Sequence, residues 1–590
     1  TSRFTSRFTI LSLPAPSDQV LTQIFETILH SFLEGFADSV VQMEGLIVKA
    51  SVMAYRKIKA ELLPTPSRSH YTFNLRDLSR VFQGILLTNF NSLSDPQTFI
   101  KLFLHENMRV FGDRLINEGD RTHMIQTIYE IAKNVLKVKE EMSAIFYDQP
   151  LVWTDILKGY GTDSSGRSYQ EATSMVQITA ALRTFTDMYK SQVVLFKEAI
   201  EHILRIVRVM RQPSGHMLLV GMGGTGKRTA AKFAAFVAEM EVFQPQPAKE
   251  YRIADFRNDL RGLFKLAGAQ NRSVMFLMTD EQIVEESFLE DINNVLNTGE
   301  VPGLFETEEY DQMDNELVPM MKKAGESLAY DSLCRKFTSN IMKNLHVVLA
   351  LSPVGGRFRD RCRIFPALVN CCTIDWYEPW PTSALETVAH EFISKMDLDK
   401  FGDVREKLAN IATFAHSIIA DAAHQFKNEL NRVYYVTPAV YIEFFSLFSS
   451  MLTKRSNEHE QKKQQLNRGV EKLAETNQKV QEMEVELQNL RPQLQKKAVE
   501  TDALMAKLKV DREKVNEAHK LISAEEETVK KVRAEAMVLA AEAQDDLDRA
   551  MPLLNAAKAA VEDLKNRKSD LAVVKTFVKP PQLVVEVMEA

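Results

Sequence analysis

From Val20 to Met53 apolar residues recur at helical spacing, and after a break at Pro64 and Pro66 the same pattern resumes from Phe73 to Leu86. Residues 1–90 therefore read as mostly helical, with the build of a lid. Further amphipathic helices follow from about 91 to 212. Then the pattern changes: short uninterrupted apolar runs, Met217–Val220, Val274–Met278, Val347–Leu351 and Cys371–Ile374, alternate with helical stretches. Strands interleaved with helices predict a mainly parallel α/β sheet. A second helical stretch covers about 383 to 453.

Past Lys454 the pattern shifts once more. Glu, Lys, Gln and Ala dominate, and only Pro492 and Pro552 interrupt about 120 residues. Leu466, Val470, Leu473, Asn477, Val480, Leu487, Leu490 and Leu494 follow steps of four and three, the seam of a coiled coil. A continuous helix of this size would reach roughly 180 Å at 1.5 Å per residue, so the strand is expected to project from its domain.

The totals narrow the classes. A chain of 590 residues exceeds one core, and about three to five domains are expected. The net charge of −6 is modest and spread out, which argues against a nucleic-acid binder or a basic membrane-surface protein. Cys334, Cys362, Cys371 and Cys372 lack paired metal-ligand spacing, and a reducing compartment fits them best. No run of about 18 apolar residues and no signal pattern is present, so the expectation is a soluble intracellular protein. The chain starts at Thr1 and ends at Ala590 inside an amphipathic segment, which reads as a piece of something larger.

Candidate chemistry centres on residues 215 to 229, GHMLLVGMGGTGKRT, an apolar run entering a glycine-rich turn. Across Gly221, Gly223, Gly224, Thr225 and Gly226 successive backbone N–H groups can converge on a polyphosphate, and Lys227 can reach its terminal phosphates. The helix opening at Lys227 points its positive end at the same charge. A metal-ligating hydroxyl is wanted directly after the lysine, but Arg228 stands there and Thr229 follows one step later. Nucleotide binding is thus read more securely than hydrolysis. About 50 residues on, the run Val274–Met278 leads into Asp280, placed to hold Mg²⁺, and Glu281, placed to orient and deprotonate a water. Ser352, after the next strand, is the candidate γ-phosphate sensor, or else a serine that begins a turn before Pro353. Arg357, Arg359, Arg361 and Arg363 at alternate positions read as a solvated face, with phosphate contact in a neighbouring subunit as the other reading.

In this order, HYTFNLRDLSRVFQGIL (His70 to Leu86), LLVGMGGTGKRTAAKFAAF, FLEDINNVLNTGEVPGLF (Phe288 to Phe305), FPALVNCCTIDWYEPWP (Phe365 to Pro381) and YYVTPAVYIEFF, followed by a long coiled coil, resemble a dynein heavy chain. The FPALVNCCTIDW form and the displaced Thr229 are similar to axonemal members. The resemblance covers essentially the whole chain. It implies an α/β AAA+ fold divided as follows: the end and helical lid of a third module at 1–90, the large α/β part of a fourth at 91–382 and its helical lid at 383–453. A strand of an antiparallel coiled-coil stalk then runs over 454–577, and the start of a microtubule-binding tip lies at 578–590.

The same resemblance implies ATP or ADP with Mg²⁺ as cofactors, a regulatory ATP site coupled to the stalk, and ciliary or flagellar motility. Implied partners are the microtubule, neighbouring modules of the same chain, and other dynein heavy, intermediate and light chains, with no nucleic acid and no membrane; the implied location is the cytoplasm, cytoskeleton and axoneme. Lys227, Asp280, Glu281 and Ser352 match the nucleotide, metal, hydrolytic and first-sensor residues. Arg76 matches the second-sensor arginine of the third module, and Arg3 or Arg7 matches a finger toward the second. Asn370-Cys371-Cys372 stands where related modules carry a finger arginine, and Ala439 stands where the fourth lid would carry its second sensor. Tight binding with slow turnover is the expectation. The alternatives are a structural module with nucleotide locked in place, or a chromosome-organising coiled-coil ATPase, which would need an LSGG-like signature that this sequence lacks.

Overall fold

The computed structural model describes residues 2–147, 151–161, 166–190, 193–325, 329–396, 398 and 404–522. Pro552, the expected stalk strand beyond Ile522 and the expected tip at 578–590 lie outside the described residues. The chain divides into Thr1–Arg455 and Ser456–Ala590.

The amino-terminal helices form where the spacing places them, at Asp18–Leu33, Glu44–Glu61 and Leu75–Ile85. On the first, Leu21, Phe25, Leu29 and Leu33 fall four apart and are all buried, and Phe25 stacks on Phe82 of the third at 4.4 Å. Each such side chain contributes about 1.5–3 kcal/mol when fully buried. Asn74 starts the third helix as a capping box: its side chain accepts from the Asp77 N–H, while the Asp77 carboxylate accepts from the Asn74 N–H. The FNLRD string thus sets Arg76 in the first turn of a helix. The core built by these helices takes in Pro96–Asn107 and Glu118–Val135 and reaches Tyr169. Within it lies a short antiparallel pair, β1 (Trp153–Thr154) and β2 (Gln170–Glu171), too brief to leave a sequence pattern.

The central sheet comprises β3 (His216–Val220), β4 (Glu241–Phe243), β5 (Val274–Thr279), β6 (Leu345–Leu351) and β7 (Cys372–Trp376), all parallel in the order β4-β5-β6-β3-β7. Leu218, Phe276 and Val347 enter one core and Met217, Met275 and Val348 another, so both faces are covered and the strands carry no polar alternation. Within this sheet the sequence pattern misses β4, whose three residues are too few. β7 begins one residue later than expected because Cys371 closes the short helix Ala367–Asn370. β3 sits between β6 and β7, so the loop leaving it opens at a crevice beyond the carboxyl ends of the strands.

Helices Thr382–Ser394 and Arg405–Leu430 and the first turns of Pro438–Ile522 share a fourth core that includes Leu385, Val388, Tyr441 and Phe445. Helix Pro438–Ile522 runs 85 residues with Pro492 inside it, so the interruption expected at Pro492 is not found. The long helix on either side tolerates one missing N–H bond. Along it Leu466, Val470, Leu473, Leu487 and Leu494, the residues of the expected seam, are all exposed among the described residues.

Candidate functional site

The loop after β3 has the shape that its glycines predict. Gly224 and Gly226 have φ of +79° and +90°, and Gly226 begins helix Lys227–Val237. A Cβ on Gly221 would lie 2.6 Å from the Cβ of Tyr377, and one on Gly224 would lie 2.6 Å from that of Ala439. Helix Pro438–Ile522 thus meets the loop at Ala439, the position that the resemblance gives to a second-sensor arginine. Gly223 faces open space. Lys227 folds back onto the loop, its Nζ donating to Gly221 O at 2.5 Å and Met222 O at 2.7 Å and lying 3.5 Å from Thr225 Oγ1.

Burial pushes the Lys227 ammonium down to about 8, with the Asp280 charge opposing. Phosphate contact requires the protonated amine. Nucleotide affinity should therefore hold steady below pH 8 and fall toward tenfold per unit above it, until the pH reaches the higher pKa of the phosphate-bound lysine. Titrations with a fluorescent nucleotide between pH 7 and 9.5 check this, and a flat profile would contradict it.

The acids stand beside the loop. Ser352 follows β6 directly, Gly221 N donates to Leu351 O at 3.1 Å, and Ser352 N donates to Asp280 Oδ2 at 2.5 Å. The Ser352 hydroxyl accepts from Val354 N at 3.4 Å, so its side chain shapes the turn while its backbone grips the acid. Glu281 is exposed in the turn Asp280–Gln282. Gln282, which sequence reading passed over, fixes that turn: its buried Oε1 accepts from Thr279 N at 2.8 Å and its Nε2 donates to Pro245 O. Thr279-x-x-Gln282 is a capping-box signature and was legible as such.

Two further assignments change in three dimensions. The arginines at 357 to 363 lie on a helix, Arg357–Ile364, where alternate positions diverge by about 200°. Three are exposed, but Arg361 is buried with Nη1 2.8 Å from Asp280 Oδ1, so the solvated-face reading fails for it. Arg228 is exposed, and Thr229 lines a cavity of about 860 Å³ with Val194, Tyr377, Trp380 and Phe392, whose walls do not include Asp280. Among the described residues no hydrogen bond or shared cavity wall joins Thr229 to Asp280. The cavity is large enough for a base and sugar. With the open loop and the Lys227 ammonium, these residues fit a nucleotide.

Arg76 is not part of this site. Its Nη1 donates to Cys371 Sγ at 3.0 Å, while Asn74 donates to Asn370 Oδ1 at 3.2 Å and Arg80 to Asn370 O at 3.1 Å. Arg76, Asn74 and Asn370 line a second cavity of about 540 Å³ with Arg56 and Lys59. Arg3 and Arg7 are exposed at the amino end. Among the described residues no group of His, Cys, Asp or Glu forms a metal cluster, the four cysteines are free, and no helix is long and apolar enough to cross a membrane.

Residues 192–451 match the family described as the P-loop containing dynein motor region D4, residues 47–143 an AAA+ lid domain, and residues 464–590 the microtubule-binding stalk of dynein motor. Dynein axonemal heavy chain 6 of Homo sapiens is 40% identical across 100% of this chain and 14% of its own length. Dynein axonemal heavy chains 3 and 2 of Mus musculus are 35% and 33% identical across 100% of this chain and 15% and 13% of theirs. The chain thus spans about one seventh of the length of these relatives. The chromosome-organising and purely structural readings are not favoured by these matches. Matched along its whole length by axonemal members, with the AAA+ module and the stalk in the same succession, the chain belongs to the dynein heavy chain family.

Proposed function

We propose that residues 215–229 and 274–281 form a regulatory Mg-nucleotide site of a microtubule motor, coupled to a stalk strand that begins in the lid of the same module. One observation carries this reading: Lys227, Asp280 and the Ser352 backbone meet at one end of the sheet beside a cavity of nucleotide size. Lys227 and the loop N–H groups hold the phosphates, Asp280 holds Mg²⁺, and Glu281 orients and deprotonates a water. Mg²⁺, when bound, neutralises phosphate charge. ATP hydrolysis here is slow, because Ala439 offers no second-sensor charge and Thr229 is displaced from the metal side. The first core continues past residue 90 to Tyr169, so the boundary expected at 90 is withdrawn; boundaries at 382, 453 and 577 belong to this proposal, as do the axoneme, the microtubule and the other dynein chains as partners.

Glu281→Gln should preserve nucleotide binding and slow phosphate release roughly 100-fold or more, the scale of a missing general base. The measurement needs a heavy chain that also carries the following module, which would supply an arginine in trans. Equal turnover in both proteins would remove Glu281 from the catalytic role.

A further inference from the structure

The acid that ends β5 is held by an arginine, and a nucleotide site does not by itself require one there. Arg361 lies on the inward side of helix Arg357–Ile364, with its side chain only 8% exposed. Its Nη1 donates to Asp280 Oδ1 at 2.8 Å, while Nε and Nη2 donate to Glu286 at 2.9 to 3.3 Å. The other oxygen of Asp280 accepts from Ser352 N at 2.5 Å. Both carboxylate oxygens are therefore engaged, one of them by a full positive charge. A guanidinium stays charged, so a metal ion bound by this carboxylate must displace it.

We infer that Arg361 is a positioning residue that caps Asp280, so that Mg²⁺ must compete with an internal cation for that carboxylate. Glu286 is the second anchor, a bidentate partner that keeps the guanidinium beside the site after displacement. The inference rests on the reading of the loop as a nucleotide site. Asp280 and Glu286 are 37% and 57% exposed, so solvent screens the pairs and the effect is moderate.

The test is the ratio of two dissociation constants for a fluorescent ADP on the whole chain, one in excess chelator and one in Mg²⁺. Arg361→Gln should raise that ratio roughly fivefold, and Glu286→Gln, which leaves the guanidinium only Asp280 to grip, should lower it by a similar factor. Arg361→Lys separates contact from charge. A lysine cannot span both carboxylates, so the ratio should rise although the net charge is kept. A lysine variant equal to the unaltered chain, or a ratio unmoved in all three variants, would overturn the inference. A purely packing role would weaken binding equally with and without Mg²⁺, which is also an unmoved ratio. Should Arg361→Gln fail to fold, Glu286→Gln on the exposed side of the pair still decides. Failure of the unaltered chain to bind any nucleotide would remove the nucleotide reading itself, and this inference with it.

Discussion

Replacing Lys227 by alanine is expected to weaken nucleotide binding by roughly 30-fold to several thousand-fold, the equivalent of about 2–5 kcal/mol for truncating one partner of a desolvated charge pair. Two effects add. Among the described residues the ammonium is the only cation whose hydrogen bonds lie inside the loop, and it also ties the Gly221 and Met222 carbonyls to the Thr225 hydroxyl. Equilibrium titration with a fluorescent nucleotide measures the weakening, and circular dichroism confirms that the sheet persists. Unchanged affinity would mean that the loop is not the phosphate site.

Much of this site was legible in the sequence because its parts are local. A glycine-rich loop is a contiguous string, and the acid pair follows an apolar run that reads as a covered strand, so Lys227 and Asp280 could be proposed as candidates from spacing. The sheet was legible for a related reason: strands buried on both faces leave continuous apolar runs, as β3, β5 and β6 do. Arg361 was not legible, since alternate arginines look like one face until they are wound on a helix. Neither was the latch between Asn74, Arg76 and Arg80 and the Asn370-Cys371 pair, which joins residues nearly 300 apart in sequence. Thr229 was assigned to the metal from its chemistry; it stands in the first turn of helix Lys227–Val237 and lines the cavity.

The largest stability effect is expected far from the nucleotide loop, at Glu106. This carboxylate is fully buried, takes a bidentate pair from Arg208 and accepts the Tyr169 hydroxyl at 2.7 Å. Arg208 lies on helix Lys197–Met210, which packs against β3, so the pair fastens the amino-terminal helical core to the sheet that carries the site. Glu106→Ala leaves a buried guanidinium without its counter-charge and should cost about 3–5 kcal/mol. Gly84 gives an independent route to the same result, because a Cβ there would stand 1.6 Å from Glu106 Oε2 and 2.8 Å from Arg208 Nη2. Gly84→Ala adds one methyl group, removes no partner, and improves intrinsic helix propensity by about 1 kcal/mol. It should nevertheless destabilise, because the carboxylate must leave its place. Chemical denaturation followed by intrinsic fluorescence reads both variants, and the double variant should be destabilised by much less than the sum of the two, since both act through one ion pair. Additive effects, or a Gly84→Ala protein as stable as the unaltered chain, would show that the pair does not fasten the two cores.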